Sequence, residues 1–395
     1  MKSYAIFAFK SIILTGFLLT PLFYWPWIPI AYEVPKVWLI LRWIEFTALF
    51  SIIFYPYIIQ KEKYDLRLII ILLIYLAVSV ITSLTGSDPG RSFWGNYYRI
   101  DGLFTLLHLT IFFVMFSLFY RKNLYRQLNM AIGLSVFILS IWVSLEGFLY
   151  WVIKLKNIIP WEGAFGGPFG NPNFLGGYLL ITVPLVYSLY KKSISKWKMF
   201  WSVTLLLTIP AIILTQSRAA ILIITLTIIY LAVRNKKISI KKSLILLSIM
   251  MLFVLSLLTI RNNRSQDKFI AEGRVRIFTK GFLAFLEKPF LGWGWSNFDH
   301  AFESVDWPIK IEKDVYVDKG HSSILENLVT TGIFGLSLYI LLISKTALNL
   351  YKNKSLRDPY FYTFIILIVH SQTNIISISE ELLFWLLAAI SVKKS

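Results

Sequence analysis

The stretch Leu68-Ile-Ile-Ile-Leu-Leu-Ile-Tyr-Leu-Ala-Val-Ser-Val-Ile-Thr-Ser-Leu-Thr-Gly86 decides the fold class. It carries no charge, and as a helix it is long enough to cross a ~30 Å hydrocarbon layer. Gly102–Tyr120, Met130–Ile153, Phe200–Thr215, Ala219–Val233 and Ser243–Ile260 run close to that length with scarcely a charge. Ile6–Ile30, Val37–Ile59, Phe174–Tyr190, Ile324–Ser344, Tyr360–Ile376 and Glu381–Val392 are less uniform and bring the expected number to twelve. A chain that is 57% hydrophobic and 15% charged has more apolar surface than a soluble core can bury. A spanning segment must satisfy its own backbone, and the alternation of a barrel strand is absent. The expectation is an all-α polytopic membrane protein of about twelve transmembrane helices.

Lys2 and Lys10 before the apolar run Ser11–Trp27 look like a secretory signal, but no small-residue cleavage pattern follows. The run continues into Pro26, Trp27 and Pro29, which suits a retained helix with an aromatic interface anchor. The absence of cysteine excludes disulfides, thiolate metal sites and cysteine nucleophiles.

The net charge of +19 raises nucleic acid as a partner, and the placement of the basic residues rejects it. Turns on the N-terminal side of the expected spans hold 22 Lys and Arg, against 6 in the short turns opposite. The positive-inside rule then expects both termini in the cytoplasm, with 261–320 left out of the count because long loops obey the rule poorly. The chain reads as one membrane domain, 1–395, with an extracytoplasmic insertion at 261–320 between the ninth and tenth expected helices. That length is unusual for a plain connection.

The outer segments carry the conspicuous polar residues. Within the insertion, Arg274–Lys288 reads as a surface helix, with Val275, Phe278, Phe282 and Phe285 at helical spacing. Arg276 and Lys280 are one turn apart, and Lys280 is expected to face water or lipid headgroups. In Gly166-Gly-Pro-Phe-Gly-Asn-Pro-Asn-Phe-Leu-Gly-Gly177, Asn171-Pro172 is a turn. Asn173 is expected to cap the helix that follows, as a structural cap or as a ligand contact. Arg218, in Thr215-Gln-Ser-Arg218 between two apolar runs, is held at the membrane boundary with no carboxylate nearby in sequence. A phosphate suits its planar fork, and headgroup snorkelling is the alternative. His321 opens a helix near Ser322 and is either an interfacial cap or a general base for a hydroxyl. His370 reads as structural or pathway-lining, and no acid and histidine cluster has metal-ligand spacing.

Taken together, these motifs resemble the O-antigen ligase and polymerase family of bacterial membrane glycosyltransferases. Ser92-Phe-Trp-Gly-Asn-Tyr-Tyr-Arg-Ile-Asp-Gly102 is similar to the family's first outer loop, with Arg99 in its arginine position. Gly167-Pro-Phe-Gly-Asn-Pro-Asn-Phe174 is similar to its Gly-Asn-Pro-Asn loop, and Ser217-Arg-Ala-Ala220 to its Ser-Arg motif. Arg274, Pro289 and Gly292-Trp-Gly294 resemble its large loop, and His321 with Gly332 and Gly335-Leu336 its histidine helix. Phe278 stands where the family usually has tryptophan, and Ser322 where it has asparagine.

The resemblance runs from about residue 85 to the C-terminus, and it implies a GT-C-like architecture in the bacterial inner membrane. It further implies transfer of a glycan from undecaprenyl diphosphate to an acceptor hydroxyl at the outer face, without metal or cofactor. Arg218 and Arg274 would hold the diphosphate and His321 would activate the acceptor. Arg99, Arg276, Asn171, Asn173 and Ser217 would contact the donor or organise its loops. The expected partners are the lipid-linked donor, membrane lipids, and a glycan, lipid or protein acceptor. Protein O-oligosaccharyl transfer and flipping of the same lipid are the alternatives. A flippase should show inverted repeats and broken helices with mid-depth charge, and the sequence displays neither.

Overall fold

The computed structural model describes residues 1–60, 62–155, 164–234, 273–306, 316–353 and 357–393. Its helices are α1 (Lys2–Leu19), α2 (Glu33–Ile53), α3 (Tyr55–Ile58), α4 (Leu66–Thr85), α5 (Pro89–Trp94), α6 (Leu103–Phe119), α7 (Tyr125–Trp151) and α8 (Pro172–Lys192). They continue with α9 (Ser195–Leu214), α10 (Arg218–Arg234), α11 (Arg274–Glu287), α12 (Phe298–Ser304), α13 (Ser323–Lys352), α14 (Tyr362–His370) and α15 (Ile378–Ser391). No strand occurs among the described residues. The expected span Ser243–Ile260 lies outside them, as do 261–272 and 307–315 of the expected insertion.

The other expected spans fall on α1, α2, α4, α6 to α10 and α13 to α15, and among the described residues six helices are long and apolar enough to cross a membrane. Leu103–Phe119, Arg218–Thr227 and Pro359–His370 are shorter apolar helices. Besides these three, two more of the expected spans miss the criterion, for local reasons. α2 carries Glu33, Lys36, Arg42 and Glu45, and α15 has 14 residues with Glu380 and Glu381 in its first turn. The first span also ends earlier than expected. α1 gives way to a 3-10 turn at Thr20–Leu22, and the chain closes a loop in which Trp25 N–H donates to Ala31 O.

Polar side chains inside the bundle turn back on their own helices, which is how a hydroxyl is tolerated where water is scarce. Ser79 donates to Tyr75 O (2.8 Å), Ser83 to Ser79 O (2.7 Å) and Thr182 to Tyr178 O (2.8 Å). Gly133 on α7 receives the Trp201 ring of α9, the small-residue contact by which membrane helices approach closely. α4 runs against α13, α6 against α15, and α8 is central, touching α7, α9 and α14.

α13 is not one continuous helix. It breaks at Gly332 (φ 65°, ψ −168°), a conformation a side chain resists. The segment Pro289–Gly294 sutures the break: Trp293 N–H donates to Val329 O (2.9 Å), Gly294 N–H to Thr330 O (2.9 Å) and Ile333 N–H to Pro289 O (2.8 Å). A Cβ on Gly292 (φ 68°) would lie 2.6 Å from Gly332 N, so glycine is needed on both sides of the seam. This corrects the expectation of unbroken helices. The break comes early in α13, and backbone donors from another segment satisfy its carbonyls rather than lipid, as membrane depth demands.

Candidate active site

Several helix N-termini, those of α2, α8, α13 and α15, meet at one end of the bundle, and three loop segments are zipped over them. Asp88 caps α5 by accepting from Arg91 N–H (2.9 Å), which fixes the first loop. Arg91 then pairs with Asp299 and donates to Ser296 O (3.3 Å) and the Tyr316 hydroxyl (3.0 Å). Asp101 accepts from Ser296 Oγ (2.7 Å) and Asn96 N–H (2.9 Å) and pairs with Lys319, which also meets Glu326 at 3.2 Å. Burial opposes the Asp101 charge, but Lys319 and these donors more than offset it and hold its pKa at about 2. Lys319 is raised by its pairing with Asp101 and Glu326 despite its burial, so the Asp101–Lys319 pair stays ionised.

His321 sits in the left-handed region (φ 53°) between Gly320 and the start of α13. Both sides of it are anchored. Gly320 N–H donates to Glu326 Oε2 (2.7 Å), and Ser322 caps the helix by accepting from Leu325 N–H (3.4 Å). Ser322 also donates to Gln372 Oε1 (2.9 Å), and Gln372 Nε2 donates to Ser323 Oγ (2.7 Å), tying α13 to the turn after α14. Serine in place of the usual asparagine keeps a good capping oxygen at this position.

The His321 ring makes no hydrogen bond among the described residues, and its pKa is held below the ordinary value. Burial is the first cause; the nearby Arg274 and Arg99 guanidiniums add to it, while Asp318 opposes. Arg274 opens α11 and donates from Nη2 to Asn374 Oδ1 (2.9 Å). Arg99 pairs with Asp318 (2.6 Å) and lies over the Phe174 ring at 5.5 Å, joining the first loop to the start of α8.

Beneath these loops lies a cavity of about 150 Å³ lined by His321, Arg99, Asp101, Lys319 and Glu326. Its walls also include Tyr75, Leu106, Trp295, Tyr339 and Trp385, with Glu33 and Glu381 among them. A charged mouth over a largely apolar chamber can bind an ionic group at the rim and shut water away from a reacting bond.

The expected site residues fall into two groups. His321 and Arg99 line the cavity, and Arg274 stands beside them through Asn374, which also lines it. Ser217, Arg218, Asn171, Asn173 and Arg276 do not line it. Ser217 is buried against Gly176 of α8, which places the exposed Arg218 at the second turn of the helix whose Phe174 lies under Arg99. Asn171, not Asn173, caps α8 by accepting from Asn173 N–H (2.9 Å), because Pro172 takes the first helical position where no N–H is needed. Asn173 is exposed, and Arg276 is partly buried on α11.

One further expectation changes and one narrows. Lys280 is buried at 7%, its ammonium 4.0 Å over the Phe302 ring, because α12 folds back across α11. His370 ends α14, fully buried and 3.3 Å from Glu380 of α15, so it has a structural position. Sequence reasoning missed Asp101, Asp318, Lys319, Glu326 and Asn374. The run Asp318-Lys-Gly-His321 was the available signal, since it puts both charges next to the histidine. No group of three or more metal-ligating side chains occurs among the described residues.

Residues 203–340 match the family model described as Wzy_C: O-Antigen ligase. The match takes in Ser217, Arg218, Arg274, Arg276, His321 and Gly332 and leaves Arg99, Asn171 and Asn173 outside it. No curated protein matches the chain.

Proposed function

We propose that this multi-pass membrane protein, with its O-antigen ligase domain at 203–340, transfers a glycan from undecaprenyl diphosphate to an acceptor hydroxyl. The reaction runs at the outer face of the cytoplasmic membrane, with both termini and the basic turns inside. The supporting observation is His321: an imidazole without a hydrogen bond among the described residues, kept neutral by its setting, at the mouth of a cavity between Arg99 and Arg274. A neutral imidazole can take the acceptor proton as the hydroxyl oxygen forms its bond to the anomeric carbon. The bond from that carbon to the phosphate oxygen breaks, and the diphosphate leaves with the electron pair.

Negative charge grows on the leaving group, where Arg274 and Arg218 stabilise it as fixed cations. Arg274 is suited to this because it is exposed to an incoming anion while partial desolvation already works against its own charge, which an arriving anion relieves. Arg99 contributes positive potential and holds the first loop to α8, while Asn171, Asn173, Ser217 and Arg276 shape the donor side. Catalysis needs no divalent metal in this scheme.

Purified protein supplied with labelled lipid-linked glycan and candidate acceptors tests the reading directly. A new glycosidic product, formed equally in chelator, is the expected result. Movement of the lipid across a vesicle without a new bond would favour a flippase, and rescue of chelated protein by Mg²⁺ or Mn²⁺ would end the metal-free scheme. Reporter fusions to the C-terminus and to Ser304 should report opposite sides of the membrane.

A further inference from the structure

The cavity is also lined by two acids that the proposed chemistry does not use. Glu33 is the first residue of α2 and is buried at 9% exposure. Its Oε1 accepts from Ile378 N–H (2.6 Å) and so supports the start of α15. Its Oε2 has no hydrogen-bond partner among the described residues. Lys36, one turn along, spends its ammonium on Pro168 O and the Phe169 ring. Glu381 lies in the first turn of α15 and lines the same chamber. The lysine of the cavity, Lys319, is already shared by Asp101 and Glu326.

A buried carboxylate oxygen without a donor is costly, and a ligand that brings a donor recovers that cost. The chamber therefore favours a donor-rich group. A phosphate there would stand beside the acids Glu33 and Glu381, whereas the rim offers Arg99 and Arg274, so the diphosphate belongs at the arginine rim. A sugar ring fits both demands, with hydroxyls at its edge for the carboxylates and C–H faces for the Trp295, Trp385 and Tyr75 walls. By the usual measure the cavity has room for on the order of ten waters, enough for one such ring.

We infer that the chamber beneath His321 is a subsite for one uncharged, hydroxyl-bearing sugar residue, whose hydroxyls donate to Glu33 and Glu381. The inference rests on the glycan-transfer reading and names the group that reading leaves unplaced. The sugar belongs to the acceptor or to the donor, and the experiment separates the two.

Glu33→Gln keeps a carbonyl oxygen for Ile378 N–H while turning an acceptor into a donor toward the chamber, and Glu381→Gln changes an acid that is not tied to Ile378. Each full-length variant is compared with wild type by melting temperature, by Kd for labelled lipid-linked donor, and by acceptor KM and kcat. About tenfold loss or more in one of these constants, with melting unchanged, is expected, as for a lost hydrogen bond to a charged group. A rise in acceptor KM assigns the ring to the acceptor, and a rise in donor Kd assigns it to the donor. If wild type transfers glycan and both variants stay within about twofold of it, the subsite is overturned and the enzyme reading stands. If wild type transfers nothing, binding of a labelled soluble oligosaccharide decides: weaker binding by the variants sustains the subsite, and equal or absent binding overturns it. If Glu33→Gln melts early, the Glu381→Gln result alone decides.

Discussion

The two ends of the bundle use the same kinds of residues to opposite effect. At the end away from His321, the charges around Asp65 and Lys393 close on backbone and on one another. Asp65 accepts from Arg67 N–H (3.2 Å), pairs with Lys345 (2.7 Å) and accepts from Asn349 (3.0 Å), and its own N–H donates to Val392 O (2.8 Å). Lys393 caps Tyr120 O, and the Tyr120 ring stacks on Phe116 at 4.5 Å. At the His321 end the charges stand around a cavity, with an imidazole that has no hydrogen bond among the described residues and a carboxylate oxygen without a donor. Polar residues packed against one another support a fold; polar residues held apart around a space are available to a substrate.

The largest effect that separates the two ends is expected from His321→Ala. Turnover should fall by about 10²-fold or more with donor binding nearly intact, because a general base acts mainly in the transition state. Normal turnover, or donor binding lost as severely as in an arginine variant, would return His321 to a capping role. In wild type, activity should persist below the ordinary histidine range and fall as pH drops through the depressed pKa. Arg274→Gln removes a neighbouring positive charge, so the acid limb of its residual activity should move to higher pH.

Arg218→Ala and Arg274→Ala come next, with weakened donor binding as well as slower turnover, by ~1.5–3 kcal/mol for each lost charged hydrogen bond. Lysine at either position should rescue poorly, since a point charge does not reproduce the bidentate fork. Direct donor binding measured beside turnover checks this.

Gly332→Ala should cost ~1–3 kcal/mol, because it puts a side chain into a positive-φ position against the Phe290 backbone. Thermal melting in detergent reads that loss. A variant as stable as wild type would mean that the seam is not needed.

The smallest effect is expected at the opposite end. Asp65→Ala should cost ~0.5–2 kcal/mol through the lost cap and leave turnover unchanged. Burial works against the Asp65 charge, but Lys345, Asn349 and the cap bond more than offset it, so its pKa lies below the ordinary value. Its stabilisation is therefore present above the unfolded-state pKa and lost as pH falls through the folded one. Melting across acid pH should show wild type converging on the variant.

The helices were legible because apolar length is a local property: Leu66–Thr85 and Tyr125–Trp151 lie within a few residues of their expected bounds. The roles proposed for Arg218 and His321 come from how each stands out against its own neighbours in sequence, and that of Arg274 from the family resemblance. The break at Gly332 was not, because the donors that make it tolerable come from Trp293 and Gly294, far along the chain. Lys280 was misread for the same reason, since the ring that covers it belongs to Phe302.

Residue order by itself therefore determined that the chain is all-helical and membrane-bound, and it singled out an arginine and histidine set for phosphate and hydroxyl chemistry. Only the tertiary structure decided that Asp101, Lys319 and Glu326 hold the turn before His321, that Asn171 and not Asn173 caps α8, and that Glu33 and Glu381 share a chamber. The physical reason is that hydrophobic periodicity and helix capping act over a few residues. A cavity is made by groups brought from distant segments, such as Glu33 and Ile378, and no local pattern encodes their meeting.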